Sequence, residues 1–369
     1  MRLIQVTASK GWRGHEQKII YLYEAFRDFG YVEDQCIVCV KGSEIYKVAT
    51  EKNMKVIGLP FSSEYDFKFA KSLKRIADEN KADLVFIHNS QSHTISVLSA
   101  VFYGLKIPLV LCRTLIKKID TNMLRKWKYN YKGIKKILCI TQPVVDMLKP
   151  AIYDHSRLKI VGILTDVNKF TKQKDGSLHR ELNIAPEYKI IGNIAAFTGF
   201  KDHYTWVNTV EILVKKGVKA KYVLVGEGTM KEEIMQFAKS KGLENEIYFM
   251  GFRRDIPQIL PEFDLFLFTS NNEPAGGVIL EAYACHVPVV AANAGGIPEL
   301  VFNNETGFLA EVGNASDFAE KVELLLEDKN LQAKFIANGF DFLIKNHTKE
   351  VIAKQMFEEL NEVYLDSVK

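Results

Sequence analysis

The sequence predicts an α/β protein built from two Rossmann-like domains that face each other across a cleft. Three observations lead to this prediction. The chain has 369 residues, more than one hydrophobic core usually organises. Short apolar runs alternate with amphipathic helical patterns from end to end, which is typical of right-handed βαβ units and a parallel sheet. A polar, turn-forming stretch at 171–177 interrupts the pattern as a linker would.

In the first half, the apolar runs predict six strands with helices between most of them. The predicted strands are 3–7, 35–40, 55–59, 84–88, 109–112 and 137–140, and the helices are 16–29, 67–79 and 94–103. We expect this half to form an N-terminal domain over residues 1–168. Open sheets of this type bind ligands outside the carboxyl ends of their strands.

The second half repeats the rhythm and predicts a second domain over residues 169–348. The predicted strands are 189–194, 222–225, 247–250, 265–268, 287–291 and 307–309, and the helices are 203–215, 230–240, 277–284, 317–327 and 331–345. The final helical pattern at 349–365 has no strand after it. We therefore expect residues 349–369 to form a helix that packs back toward the N-terminal domain.

Composition excludes several classes of protein. Hydrophobic residues make up 47% and charged residues 25%, which is ordinary for a globular protein, and the net charge of +4 does not indicate nucleic acid. The first apolar run is too short for a signal-peptide core, and no stretch approaches the length of a membrane span. A cytoplasmic location follows as the expectation.

The most informative stretch is Ser-Asn-Asn-Glu-Pro-Ala-Gly-Gly-Val-Ile-Leu-Glu-Ala at 270–282. Gly276 and Gly277 would open a helix, where a ligand can approach the backbone closely. Free N–H groups and the helix dipole favour an anion there, and a diphosphate suits the position. Glu273 precedes the helix, and Glu281 lies about five residues inside it. The two carboxylates are therefore predicted to face the sugar end and the nucleoside end of a nucleotide-sugar.

Glu273 and Glu281 match the E-x7-E pattern, and the surrounding sequence resembles the family-4 retaining glycosyltransferases, which have the GT-B fold. Further segments resemble that family in the same order along the chain. They are Asp-Val-Asn-Lys-Phe at 166–170, the phosphate loop at 192–201, Val-Gly-Glu-Gly at 225–228, Met-Gly-Phe-Arg at 250–253, and the runs at 285–291 and 295–301. The matches cover nearly all of the second half and fit the first half more loosely, which the family uses to bind the acceptor.

The resemblance implies a donor site in the second domain. Lys201 would pair with the donor diphosphate and, with Glu273, take part in catalysis. The near-N-terminal run at 11–17 resembles the family's glycine loop, which approaches the donor phosphate. The donor-binding residues implied are Gly14, Lys201, Gly226, Phe252, Arg253, Glu273, Ala275, Gly276, Gly277 and Glu281, with backbone groups of Gly295, Gly296 and Ile297.

The sequence departs from the family at Ala196, where members usually carry a second diphosphate-binding arginine. Arg113, at a strand end where many relatives place a histidine, is our candidate replacement. We expect it to contact the donor phosphates across the cleft or an acidic acceptor. His93 follows the predicted strand 84–88 and is a candidate catalytic residue on the acceptor side, with a structural role equally open.

The implied mechanism is attack on the same face of the sugar from which the nucleotide diphosphate leaves. The leaving phosphate takes the proton of the acceptor hydroxyl, and the protein supplies orientation and charge stabilisation. The resemblance implies that Lys201 and the helix start at Gly276 and Gly277 replace the Mg²⁺ of other sugar-transfer folds, and the absence of an Asp-x-Asp agrees with this. We therefore expect no metal ion and no other cofactor. Uridine is the commoner nucleotide among relatives, and a UDP-sugar is the favoured donor.

Residues 113–136 contain nine Lys or Arg residues and one acid, Asp120. Trp127, Tyr129 and Tyr131 lie among them. Basic residues with interfacial aromatics suit an anionic membrane surface or a phosphorylated lipid acceptor, although a solvated helix explains the same pattern. The expected partners are a nucleotide-sugar donor, a glycan or lipid-linked acceptor, and the anionic inner face of the cell membrane. We do not expect the protein to bind nucleic acid.

Two other functions share the predicted architecture. A nucleotide-sugar epimerase also needs a diphosphate cleft and carboxylates, but it converts the donor without an acceptor. A non-catalytic nucleotide-sugar-binding protein gains some weight from Ala196, and slow donor hydrolysis would count against it. A nicotinamide dehydrogenase is disfavoured, because no G-x-G-x-x-G follows the first predicted strand.

Overall fold

The structure is a computed structural model that describes residues 1–12, 14–115, 123–171 and 173–369. Lys117, Lys118 and Asp120 of the basic segment lie outside the described residues. The chain divides into two compact units. The first unit contains Met1–Leu164 and Lys349–Lys369, and the second unit contains Thr165–Thr348.

The first unit is built on a parallel seven-stranded sheet of order β3-β2-β1-β4-β5-β6-β7. Its strands are β1 Arg2–Val6, β2 Asp34–Val40, β3 Val56–Leu59, β4 Leu84–Ile87, β5 Leu109–Arg113, β6 Ile134–Cys139 and β7 Leu158–Ile160. The order reverses between β1 and β4, which makes the carboxyl ends of these strands the place where such sheets bind ligands.

Helices cover both faces of this sheet, which explains why its central strands are apolar without alternation. All four residues of β4 are fully buried. The helices are α1 Gly14–Asp28, α2 Glu44–Glu51, α3 Phe67–Glu79, α4 Ser90–Tyr103, α5 Met123–Tyr129, α6 Gln142–Leu148 and, from the end of the chain, α14 Lys349–Val368.

Helix α14 completes the core of the first unit. Its residues Met356 and Leu360 share one buried cluster with Phe26 of α1 and Leu138 of β6. The buried ammonium of Lys136 pairs with the carboxylates of Glu359 and Glu362 on the same helix. The helix is therefore fixed to the first unit by apolar packing and by a partly buried ion-pair cluster.

The second unit is built on a parallel six-stranded sheet of order β10-β9-β8-β11-β12-β13. Its strands are β8 Lys189–Ile194, β9 Ala220–Val225, β10 Ile247–Gly251, β11 Leu265–Phe268, β12 Val289–Ala292 and β13 Phe308–Ala310. The helices are α7 Ser177–Leu182, α8 His203–Lys215, α9 Lys231–Ser240, α10 Ile256–Ile259, α11 Gly277–Ala284, α12 Ala315–Glu327 and α13 Lys329–Asn346.

The prediction of parallel-sheet, Rossmann-like α/β domains is confirmed. The stretch at 171–177, predicted as a linker, differs in detail because helix α7 begins at its end. The buried carboxylate of Glu262 accepts hydrogen bonds from the backbone N–H groups of Asp175 and Gly176, 3.0 Å each. Asp175 and Gly176 therefore bind a buried acid of the second unit, which anchors this part of the chain to that unit.

No helix within the described residues combines the length and the apolar character needed to cross a bilayer.

Candidate active site

Three loops meet at the carboxyl edge of the second unit's sheet. They follow β8, β11 and β12. The backbone N–H of Asn271 donates to the carbonyl of Phe200 at 2.9 Å, which ties the β11 loop to the β8 loop. The N–H of Gly296 donates to the carbonyl of Glu273 at 2.8 Å, which ties the β12 loop to the same β11 loop. The loops therefore form one hydrogen-bonded unit.

Glu273 and Lys201 form an ion pair at the centre of these loops. Glu273 is 8% exposed. Its Oε2 atom, which contacts the Lys201 ammonium, also accepts a hydrogen bond from the Ser270 hydroxyl at 3.2 Å. Its other oxygen accepts the backbone N–H of Gly276 at 3.2 Å. The carboxylate thus links the Lys201 ammonium to the start of α11, and both predicted catalytic residues of this unit lie together.

Glycines shape the backbone around this pair. Gly276 precedes α11 with φ +77°, and Gly277 is the first residue of the helix. Gly295 has φ +54°, and a Cβ added to it would lie 2.1 Å from the carbonyl oxygen of Glu273. A Cβ on Gly226 would lie 2.0 Å from the carbonyl oxygen of Ala195. Side chains at Gly226 and Gly295 would push the loops apart.

A buried histidine lies beside Lys201. The ring of His203 stacks on Phe197 with centroids 4.3 Å apart. Burial, reinforced by the Lys201 ammonium, lowers the pKa of His203 to about 4. The imidazole is therefore neutral at physiological pH, and Lys201 is the cation of this loop. Ala196, where the resemblance implies an arginine, is exposed.

The other predicted donor residues of this unit are distributed along the same edge. Gly226 donates its N–H to the carbonyl of Gly251 at 2.9 Å, next to Phe252, a residue that is 57% exposed. Ala275 is buried, and Glu281 is half-buried on α11.

Arg253 is already committed to carboxylates. Its guanidinium bonds to Asp255 at 2.8 Å and also forms an ion pair with Glu181, and these hydrogen bonds raise the pKa of Arg253. If the charge of Arg253 bound the donor, it would compete with both ion pairs. We therefore expect Arg253 to hold the loop that carries Phe252 in place and not to bind the donor through its charge.

The remaining predicted residues lie in the first unit. Gly14 is the exposed first residue of α1. Arg113 is the last residue of β5 and is 8% exposed. His93 lies in α4 with its ring fully buried, edge-on to Tyr129 at a centroid distance of 4.8 Å. Burial, reinforced by the Lys128 and Arg113 cations, lowers the pKa of His93 well below its usual value.

Sequence reasoning assigned no role to Ser270 or His203. Ser270 lies inside the stretch that carries the glutamates, and its place beside a carboxylate three residues on was a usable signal. His203 gave none, because its burial depends on Phe197 and on the strands around it.

Comparisons with known proteins find glycosyltransferases among the proteins that this chain resembles. Residues 175–342 match the family model described as "Glycosyl transferases group 1", and the match lies inside the second unit. The chain is 26% identical over 296 residues to the N-acetyl-alpha-D-glucosaminyl L-malate synthase of Bacillus anthracis, covering 79% of this chain and 77% of that protein. It is 22% identical over 323 residues to the Escherichia coli UDP-Gal:alpha-D-GlcNAc-diphosphoundecaprenol alpha-1,3-galactosyltransferase, covering 82% and 80%.

A solved structure of Anabaena Alr3699/HepE in complex with UDP and glucose has a TM-score of 0.86 to this chain at 22% identity, covering 98% of this chain and 100% of that one. Two parallel α/β sheets with this likeness define the GT-B fold. Residues 175–342 are thus similar to the glycosyl transferases of group 1, and the protein is a glycosyltransferase.

Proposed function

We propose that the protein transfers a sugar from a nucleotide-diphosphate donor, with a UDP-sugar favoured, to a hydroxyl of a glycan or lipid-linked acceptor. The transfer retains the anomeric configuration and needs no metal ion. The observation that carries the proposal is the ion pair between Lys201 and Glu273, held at the start of α11 by the Gly276 N–H. It combines a fixed cation with the anion-favouring end of a helix.

The chemistry assigned to these groups is electrostatic. An ammonium has three N–H donors, and Glu273 uses one of them, so Lys201 keeps donors for phosphate oxygens. Negative charge develops on the diphosphate as the bond to the sugar breaks, and a cation fixed in advance stabilises it without reorganisation. Glu273 holds Lys201 and the α11 start in register, and its carboxylate edge faces the sugar.

Acceptor activation in this scheme needs no protein base. The departing phosphate oxygen takes the proton of the acceptor hydroxyl as the new bond forms on the same face of the sugar. Phe252 offers an exposed ring for stacking with the base, and Glu281 offers a carboxylate to the ribose diol.

Binding of UDP and turnover of UDP-sugars test the proposal. Lys201→Met should weaken UDP binding, measured by calorimetry, by about tenfold or more, because hydrogen bonds to charged groups are lost. Glu273→Gln should lower turnover by about a hundredfold. The anomeric proton of the product, followed by NMR, reports retention directly, and assays with and without chelator report any metal requirement.

Lys215→Met is a matched control for Lys201→Met, because it removes a cation from an exposed pair with Glu211 on α8. We expect it to bind UDP like the wild type. Equal UDP affinity for Lys201→Met and Lys215→Met would show that the donor diphosphate does not bind at Lys201. Conversion of donor without acceptor would instead identify an epimerase.

We also propose that α5 contacts an anionic membrane, which would place the protein on the cytoplasmic side as a peripheral enzyme. The exposed fractions of Met123, Leu124 and Trp127 are 84%, 73% and 48%, and Arg125 lies exposed among them. An exposed apolar and aromatic surface with basic neighbours binds the interface of anionic bilayers.

Sedimentation with phosphatidylglycerol vesicles tests this contact. Leu124→Glu should release the protein from the vesicles, whereas Leu365→Glu, at an apolar position of similar type on α14, should not. Absence of wild-type binding at low salt would contradict the proposal.

A further inference from the structure

A group of cations surrounds Tyr129 in the first unit. The guanidinium carbon of Arg113 lies 5.9 Å from the centre of the Tyr129 ring, and the ammonium of Lys128 lies 5.7 Å from it. Arg157 donates to the Tyr129 carbonyl at 2.7 Å. His93 packs edge-on against the ring. We call these five residues the Tyr129 cluster.

Within the residues that the structure describes, no carboxylate forms an ion pair with Arg113, Lys128 or Arg157. Glu64 and Asp154 act on Lys128 and Arg157 only as more distant charges. Burial lowers the pKa of Lys128 to about 8, with Glu64 opposing this effect and with Arg113 and Arg125 reinforcing it. The cluster thus keeps positive charge in a poorly solvated place. This costs free energy, and a bound anion would offset the cost.

Several polar atoms that belong to the Tyr129 cluster have no hydrogen-bond partner among the described residues. Arg113 and Arg157 each have a buried Nε without a hydrogen-bond partner among the described residues. Both ring nitrogens of the fully buried His93 lack a partner in the same part of the chain. Buried polar groups of this kind are usually satisfied, and several together indicate a missing oxygen-rich ligand.

The cluster reaches the ligand-binding edge of its sheet. Arg113 is the carboxyl-terminal residue of β5, and the Lys128 ammonium donates to the Thr94 hydroxyl at 2.9 Å near the start of α4. Lys128 as a whole residue is half-buried. Ligands of such sheets bind at this edge.

We propose that the acceptor carries an acidic group, a phosphate or a carboxylate, which Arg113 and Lys128 bind together at this edge. The inference rests on the proposed function, because it treats the first unit as the acceptor side. The negative group replaces the missing carboxylates, and His93 donates to it or to a neighbouring hydroxyl. Arg113 here binds substrate through its guanidinium, a planar donor suited to two oxygens of one anion.

The titration of Lys128, followed by NMR on lysine labelled with carbon-13 at Cε, tests the proposal. Lys128→Gln assigns the signal. The protein is saturated with UDP, so that the donor site is filled. Inorganic phosphate, acetate and vesicles containing phosphatidic acid are then added separately against sodium chloride at equal ionic strength. An anion bound beside Lys128 should raise its midpoint from about 8 to about 9 or higher.

Two variants separate binding from a structural role. Arg113→Gln should abolish the response of Lys128 to the anion, and Arg113→Lys should keep part of it, because the charge remains. A response to phosphate or acetate supports a soluble acidic group. A response to the vesicles alone supports a lipid phosphate only if Arg113→Gln abolishes it. A vesicle response that survives Arg113→Gln reflects the membrane contact of α5 and counts against the proposal. An unchanged midpoint with all three probes would overturn the proposal. UDP affinity measured in the same samples reports failure of the donor site separately.

Discussion

Gly295 offers a strict test of the loop geometry at the donor site. Gly295→Ala adds one methyl group to a residue whose φ is +54°, in contact with the backbone of Glu273. Gly313→Ala is the matched control, since Gly313 has φ +76° and no atom within 4 Å of an added Cβ. Both variants pay the cost of a left-handed alanine, about 1–2 kcal/mol. Only Gly295→Ala forces the loop to move.

The size of that movement follows from the contact. The new Cβ would lie 2.1 Å from the Glu273 carbonyl oxygen, and real Cβ atoms essentially never approach closer than 3.0 Å. The backbone must therefore shift by about 1 Å, and a misplacement of this size lowers turnover by about a hundredfold. Overpacking of this kind also costs about 1–3 kcal/mol of the free energy of unfolding.

Steady-state kinetics with a UDP-sugar and urea unfolding measure the two effects. We expect kcat/KM of Gly295→Ala to fall about a hundredfold below that of Gly313→Ala, with a lower unfolding midpoint for the second unit. If the two variants have equal kcat/KM and equal midpoints, the close approach of Gly295 to Glu273 does not shape the site, and the reasoning fails.

Two further predictions concern stability. His203 has a pKa of about 4 in the folded protein, whereas a solvated histidine has a pKa of about 6.5, so the unfolded chain binds the proton first as pH falls. The free energy of unfolding therefore falls by about 3 kcal/mol as the pH is lowered through this range. In urea unfolding, the difference between pH 7 and pH 4 should be smaller by about that amount in His203→Asn than in the wild type. Lys136→Met should change the unfolding free energy by less than about 1 kcal/mol, because Glu359 and Glu362 stay partly solvated, whereas replacing both with Gln leaves a buried cation unpaired and should cost about 2–3 kcal/mol. Equal costs for the two changes would contradict this account.

The sequence predicted the strands that matter most for the donor site. Strands β8 and β11 and helix α11 occupy the predicted residues. Each is a mainly apolar segment, interrupted by Gly192 and Asn193 in β8 and by Glu281 in α11, so the local pattern predicts its limits. Lys201 lies in the loop after β8, and Glu273 lies in the loop after β11. They form an ion pair because parallel strands place their carboxyl ends at one edge of the sheet.

Long-range packing could not be predicted from the same patterns. Lys128 belongs to a basic run that suggests a solvated helix, yet its ammonium lies beside Thr94 and the ring of Tyr129. Whether a lysine is solvated or half-buried depends on which helix packs over it, and spacing along the chain carries no record of that. Helix α7 was not predicted for a similar reason. The polar residues at its start suggest a linker, and the hydrogen bond from the Gly176 N–H to Glu262, which is distant in the sequence, cannot be recognised from local pattern.

The attachment of α14 to the first unit decides how the gene can be divided. Thr165–Thr348 is one uninterrupted stretch of chain, so a single coding segment encodes the second unit. The other module needs both termini, and a fragment that stops at Leu164 leaves Phe26 and Leu138 without the apolar partners that Met356 and Leu360 provide. Joining residue 164 to residue 349 through a short flexible peptide is therefore the way to produce that module by itself.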